Sequence, residues 1–174
     1  MKSKISNLAA WIAGSGLLVW FDQYTKLLAK SHLENSKPFV LLDGVFELLY
    51  SENRGAAFGM LQGRQTFFFL IAIVVVAVAA YAMCCMPGWT SPHYHGLKLC
   101  VILITAGAIG NMVDRVSRGY VVDFFYFKLI NFPIFNVADI YVTTATFALL
   151  VLLTFVYHEE DLEVFRFGKK EALK

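Results

Sequence analysis

Four stretches of this chain carry no Asp, Glu, Lys or Arg: residues 5–21, 65–97, 99–113 and 140–158. A helix needs about 20 mostly apolar residues to cross the hydrocarbon core of a bilayer. The second and fourth runs reach that length alone. The first and third reach it if Lys26 and Lys98 lay their stems along the helix and bring their charges to the interface. The expectation is an all-α membrane protein: one domain, residues 1–174, with four transmembrane helices at roughly 5–28, 66–86, 97–115 and 137–157. Composition agrees. Charged residues make up 16% of the chain, where an average soluble domain has roughly 25%, and mean hydropathy is +0.60.

Residues 5–21 also resemble the apolar core of a secretory leader. The run exceeds the usual length of about 7–15 residues, no Ala-x-Ala site follows, and further spans come after, so an uncleaved first helix is the better reading. Gly14, Ser15 and Gly16 put small residues in its middle, where a neighbouring helix can approach closely. Asp22 and Lys26 follow at the favourable i, i+4 spacing and read either as an interfacial ion pair that ends the span or as site residues.

Other functional classes find little support. No Lys/Arg cluster is interleaved with aromatics, so nucleic acid is not an expected partner. Cys84, Cys85 and Cys100 lie in or beside apolar runs, an odd count that argues against a disulfide framework. They read as small apolar packers, with acylation of the Cys84-Cys85 pair as a lesser alternative. His93 and His95, two apart with no acid or thiol close in sequence, are weak metal ligands, and neither metal nor cofactor is expected.

The polar segments between the runs carry the chemistry. From 39 to 50 an aromatic and aliphatic string is broken by Asp43-Gly44, which reads as two short strands joined by a tight turn. Both faces are apolar, which suits a small sheet lying on the membrane. Asn53, Arg54 and Gly55 begin a loop in which glycines 55 and 59 bracket two alanines, leaving room for another chain or a lipid. The third span holds a small-residue face, Ala106, Gly107 and Gly110. Asn111, Asp114 and Arg115 then fall on one face of the helix. Asp114 beside Arg115 reads as a structural ion pair, and Gly119 as the helix stop. Residues 121–135 read as an apolar crossing loop interrupted by Asp123. Asn136 is a suitable N-cap for the fourth helix, with Asp139 in its first turn. The tail from 158 onwards reads as a solvated, amphipathic end.

Ionisable groups kept where two membrane-length segments end are costly, and are usually put to use. Asp123 and Asp139 suit one use well. Amide hydrolysis needs a water made nucleophilic and a leaving nitrogen protonated, and two close carboxylates that share one proton can supply both. The same residues also fit a proton relay or a small transporter, which stays open as the alternative. A transporter of this size would more often show an internal repeat, and none is visible.

These residues carry a resemblance over nearly the whole chain. Asp22-Gln-Tyr-Thr-Lys26, Asn53-Arg-Gly-Ala-Ala-Phe-Gly59, Gly110-Asn-Met-Val-Asp-Arg115 with Gly119-Tyr-Val-Val-Asp-Phe124, and Phe135-Asn-Val-Ala-Asp139 resemble, in order, the motifs of bacterial lipoprotein signal peptidases (signal peptidase II). The resemblance implies four spans with a β-cradle at the periplasmic membrane surface. It implies an aspartic endopeptidase with Asp123 and Asp139 as catalytic pair. Asp22, Lys26, Asn53, Gly55, Asn111, Asp114, Arg115 and Asn136 would bind substrate or support the site. The substrate would be a prolipoprotein cut before its diacylglyceryl-modified cysteine. Cyclic peptide antibiotics of the globomycin type would inhibit. The location implied is the bacterial inner membrane, active site towards the periplasm and both termini in the cytoplasm. The chain departs from the pattern at Arg54, where the family commonly has Thr. Lys and Arg number seven on the terminal side and eight on the other, so the positive-inside rule does not orient the chain.

Overall fold

The structure is a computed structural model that describes residues 2–55 and 64–165. The small-residue segment 56–59 lies outside them. The chain runs α1 (Lys2–Leu33), β1 (Phe39–Leu42), β2 (Phe46–Asn53), α2 (Gln65–Cys85), α3 (His95–Arg118), β3 (Val121–Phe127), α4 (Val137–Phe155) and a one-turn α5 (Glu159–Leu162). Four of these helices are long and apolar enough to cross a membrane. Large apolar side chains such as Leu17, Leu70, Val74 and Phe147 point outward. That is the inverse of a soluble protein and suits a hydrocarbon solvent.

Helix α3 is the centre of the bundle and packs against α1, α2 and α4. Small residues set the spacing, as their pattern suggested. A Cβ on Gly107 would lie 2.5 Å from the Ala138 carbonyl oxygen, and one on Gly110 2.6 Å from an Asp22 carboxylate oxygen. Ser15 and Trp11 donate to α3 at the Ile102 carbonyl and the Thr105 hydroxyl. Buried Asn7 donates to the carbonyls of Met83, Met86 and Pro87, which caps the C-terminus of α2 where no helical N–H remains.

Three expectations are corrected here. First, Asp22 and Lys26 do not close the first span. Helix α1 continues to Leu33, and both side chains are completely buried within the bundle. Lys26 is therefore covered by protein rather than extended along the helix into solvent, and Lys98 is wholly buried too, its ammonium over the Trp89 ring. Second, 121–135 is not simply a crossing loop. It contains β3, which pairs antiparallel with β2 in a three-stranded sheet of order β1-β2-β3. Third, the tail is not merely solvated. His158, Glu159 and Glu160 are exposed as expected, but the Tyr94 hydroxyl donates to the Asp161 carbonyl at 2.9 Å, and His93 pairs with the Asp161 carboxylate at 3.1 Å.

The turn at Asp43-Gly44 forms as read, with Gly44 at φ +69°, a backbone that L side chains rarely adopt. Strand β1 is exposed along its whole length, so the sheet presents an apolar edge outward. Its other end is covered: Val122 and Phe124 pack with Ala29 of α1 and Val137 of α4. Glycine 119 ends α3 at φ +82°, its N–H bonding the Arg115 carbonyl. The chain then turns straight into β3, which brings Asp123 back beside the end of α3.

Candidate active site

Asp123 and Asp139 line one cavity of about 540 Å³, together with Asn53, Asn111, Arg115 and Phe68. Each carboxylate comes from a different element. Asp123 sits on β3 opposite Ser51 of β2. Asp139 sits in the first turn of α4, where Asn136 caps the helix as expected. The Asn136 side-chain oxygen accepts from the Asp139 N–H at 3.0 Å, and the Asp139 carboxylate accepts from the Asn136 N–H at 3.1 Å. This reciprocal capping box satisfies two donors that the helix leaves free.

Three asparagine side chains hold the pair. Asn136 donates to one Asp123 oxygen at 2.6 Å, and Asn53 donates to the other at 3.0 Å. Asn111 donates to Asp139 at 2.8 Å. Each amide is oriented from its far side. The Asn53 oxygen accepts the Gly55 N–H, the Asn136 oxygen accepts the Asp139 N–H, and the Asn111 oxygen accepts the Lys26 ammonium at 2.9 Å. With every amide oxygen occupied by a donor, every amide nitrogen aims at a carboxylate.

Lys26 anchors this network from below. Its ammonium meets Asp22 at 2.8 Å and Asp114 at 3.0 Å, all three side chains fully buried, and half-buried Asn111 at 2.9 Å. Asp22 also accepts from Gln23 at 3.2 Å and from the Ala138 N–H at 2.9 Å. It thus places a carboxylate on a free N–H at the positive end of α4. Asp114 accepts from Arg118 and from the Val122 N–H, which ties β3 to α3 one residue before Asp123. The expected Asp114–Arg115 ion pair does not form. Arg115 donates instead to the Asn111 and Gly55 carbonyls and lies over the Phe68 ring. It walls the cavity, and Asp114 takes Lys26 and Arg118. Arg118 and Gln23 are the supporting residues that the sequence reading missed. Arg118 follows Asp114 at i, i+4, a spacing that signals such a pair.

Arg54 lies apart from the carboxylates. It pairs with Glu52 at 3.0 Å and stacks over Tyr120, its side chain 65% exposed. The departure from the family pattern therefore sits on the rim.

The carboxyl of Asp123 is pushed up to about 7, first by burial and then by the charge of Asp139. The bonds from Asn53 and Asn136 pull the other way. Two carboxylates in one cavity, one of them raised to about 7, form an arrangement able to give and take a single proton.

A second cavity, of about 580 Å³, adjoins the first and opens between α2 and α4. It shares Asn111, Arg115 and Asp139 with it. Asp139 therefore also lines a cavity on the side of the bundle, between α2 and α4.

Comparison with known proteins bears on this geometry. A chain called lipoprotein signal peptidase from Clostridioides difficile (strain 630) is 37% identical over 139 residues, covering 80% of this chain and 90% of that one. Chains with the same name from Streptococcus pyogenes serotype M1 and from Caldanaerobacter subterraneus subsp. tengcongensis are 40% and 42% identical. They cover 83% and 79% of this chain, and 91% of each relative. A bacterial membrane enzyme solved by the in meso method superposes with a TM-score of 0.72 at 29% identity, over 95% of both chains. The family described as signal peptidase (SPase) II matches residues 15–155, a range that holds all four polar motifs and both cavity-lining aspartates, and the chain belongs to that family.

Proposed function

We propose that this protein is an intramembrane aspartic endopeptidase that removes signal peptides from lipid-modified prolipoproteins, cutting before the lipidated cysteine. Membership of the signal peptidase II family makes the chain a peptidase of a multi-pass membrane type. The observation that carries the finer reading is the pair Asp123 and Asp139, held by three oriented asparagines in a cavity that adjoins a second one between α2 and α4. A lipidated peptide diffuses in the bilayer and presents its scissile bond at the membrane surface. A side-opening cavity at the end of two spans is where such a bond can be met.

In this reading the pair holds one proton. The ionised carboxylate takes a proton from water as it attacks the scissile carbonyl. The protonated carboxyl donates to the departing nitrogen. The dyad acts as a unit, so the roles are not divided between the two residues. The asparagine amides keep both carboxylates in place, and Arg115 on the cavity wall offers donors to a substrate carbonyl. Membrane lipids and lipid-modified prolipoproteins are the partners, and cyclic peptides of the globomycin type would compete for the cavity. The site would lie towards the periplasm of the inner membrane, with both termini in the cytoplasm.

The test uses purified protein in lipid, a diacylglyceryl-modified prolipoprotein and an unmodified control. The modified substrate should be cut and the control spared. Asp123→Asn and Asp139→Asn should each abolish cleavage while the protein stays inserted and folded. Near wild-type turnover in either variant removes the dyad. Ion flux in proteoliposomes with no peptide product would favour transport instead.

A further inference from the structure

We propose that the C-terminal segment after α4 is a substrate-reading element, and that a trough running from the two aspartates down to it seats the apolar part of the signal sequence. This inference rests on the peptidase reading above.

The trough follows from how the helices pack. Both α2 and α4 lie against α1 and α3, and a gap remains between them with α3 as its floor. The cavity beside Asp139 occupies the upper half of that gap. A further cavity of about 450 Å³ occupies the lower half, and the two meet at Val75 and Ile104. The lower cavity is apolar throughout, and at its far end it is lined by Leu162 and Phe165. These two residues lie beyond 155, where the family match stops. The segment that carries them is fixed to the bundle. Tyr81 donates to the Phe165 carbonyl at 2.9 Å, Tyr94 donates to the Asp161 carbonyl, and His93 pairs with the Asp161 carboxylate.

Length and charge identify the occupant. From Asn111 to Leu97, the two levels of the trough, α3 rises about 21 Å at 1.5 Å per residue. The apolar part of a signal sequence, about 7–15 residues, is about 10–22 Å long as a helix. Such a sequence begins with a positively charged region. With its cleavage point at the aspartates, that basic start falls at the opposite end of the bundle, beside α5. There Glu159 and Glu160 are exposed in the first turn of α5. A lipid chain would fill the apolar wall but would give these carboxylates no partner. A signal sequence uses both.

Photo-crosslinking decides it. Leu162→p-benzoylphenylalanine and Thr143→p-benzoylphenylalanine variants are each mixed in lipid with the lipidated substrate. The Leu162 probe should capture the first half of the substrate's apolar segment, and the Thr143 probe residues next to the cleavage position. Capture of substrate from Thr143 with none from Leu162, or capture at Leu162 of lipid or a second copy of this chain, overturns the inference. A second readout is kinetic. The double variant Glu159→Gln, Glu160→Gln should raise KM about two- to fivefold for a substrate with a basic start, as loss of exposed ion pairs implies. The kcat, and the KM for a neutral-start substrate, should not change. Equal effects on both substrates remove the charge contact. Failure of the unsubstituted protein to cut any lipidated substrate sinks the peptidase reading itself. Intact cleavage without tail contact sinks only this inference.

Discussion

At the scale of residues, burial and the neighbouring Asp139 raise the Asp123 carboxyl, and the amides of Asn53 and Asn136 oppose them. Asn53 has no capping duty, so it offers the cleanest test. Its bond lowers the Asp123 carboxyl, which burial and Asp139 hold at about 7. In the proposed mechanism the dyad keeps one proton, so activity should fall as pH rises through about 7. Removing the bond in Asn53→Ala should move that alkaline limb to higher pH while lowering turnover. A pH–rate profile of kcat/KM for both proteins measures it, and an unmoved limb would separate Asn53 from the dyad. Lys26 gives a stability prediction. It is buried with two carboxylates, and breaking a buried pair typically destabilises by about 3–5 kcal/mol because a charge is left without a partner. Lys26→Met should lower thermal stability in detergent by that order and reduce activity, since the Asn111 amide loses the donor that orients it. The conservative Lys26→Arg should recover only part, because a planar fork cannot replace a point charge with three donors. Most of the polar residues that the structure gathers at the cavity were visible in the sequence, the ionisable ones because a charge near a membrane span is conspicuous and the asparagines through the family resemblance. Partner choice was not. Asp114 has Arg115 next to it in sequence, yet neighbours one apart on a helix point about 100° from each other, and the structure gives Asp114 to Lys26 and Arg118.

At the scale of elements, β3 escaped the sequence reading for a physical reason. Val121 to Phe124 are all buried, because α1, α3 and α4 cover what would be the wet face of an ordinary hairpin. A strand with no wet face loses the alternation that marks one. The hairpin of β1 and β2 was legible because a turn is local chemistry and needs only Asp43-Gly44. The small-residue face of α3 was also legible, and it leads to a further prediction. Gly107→Ala places a Cβ within 2.5 Å of the α4 backbone. A clash with backbone cannot be relieved by a rotamer change, so α3 and α4 must separate, with a cost of about 1–3 kcal/mol typical of overpacking. Because Asp139 rides on α4 and Asn111 on α3, turnover should drop with stability. Gly16→Ala, which meets nothing within 4 Å, is the matched control and should leave both unchanged. Equal behaviour of the two variants would show that the α3–α4 spacing does not control the site.

At the scale of the whole molecule, the proposed function predicts an orientation that charge does not. Asp22, Asn53, Asp114 and Asn136 all gather at the end of the bundle where α1 leads into the sheet, and a lipidated cysteine is presented at the outer surface of the inner membrane. In a background lacking Cys84, Cys85 and Cys100, Ser36→Cys should react with an impermeant reagent in intact cells, and Lys4→Cys only after permeabilisation. The reverse pattern would place the aspartates away from the substrate and remove the peptidase reading. Class, span number and the order of the polar motifs were available from the chain alone, because membrane crossing depends on the length of an apolar run and on backbone hydrogen bonds made within that run. The i, i+4 pairs Asp22–Lys26 and Asp114–Arg118 are local, but which polar groups meet across the bundle depended on the tertiary structure, because those partners are far apart in sequence: Lys26 with Asp114, Asn53 with Asp123, Asp22 with the first turn of α4. His93 shows the same division. It has no acid near it in sequence, and it meets Asp161 because the chain returns past the end of α4. Pairing at such separations follows from how four helices pack around α3, which no local pattern of residues encodes.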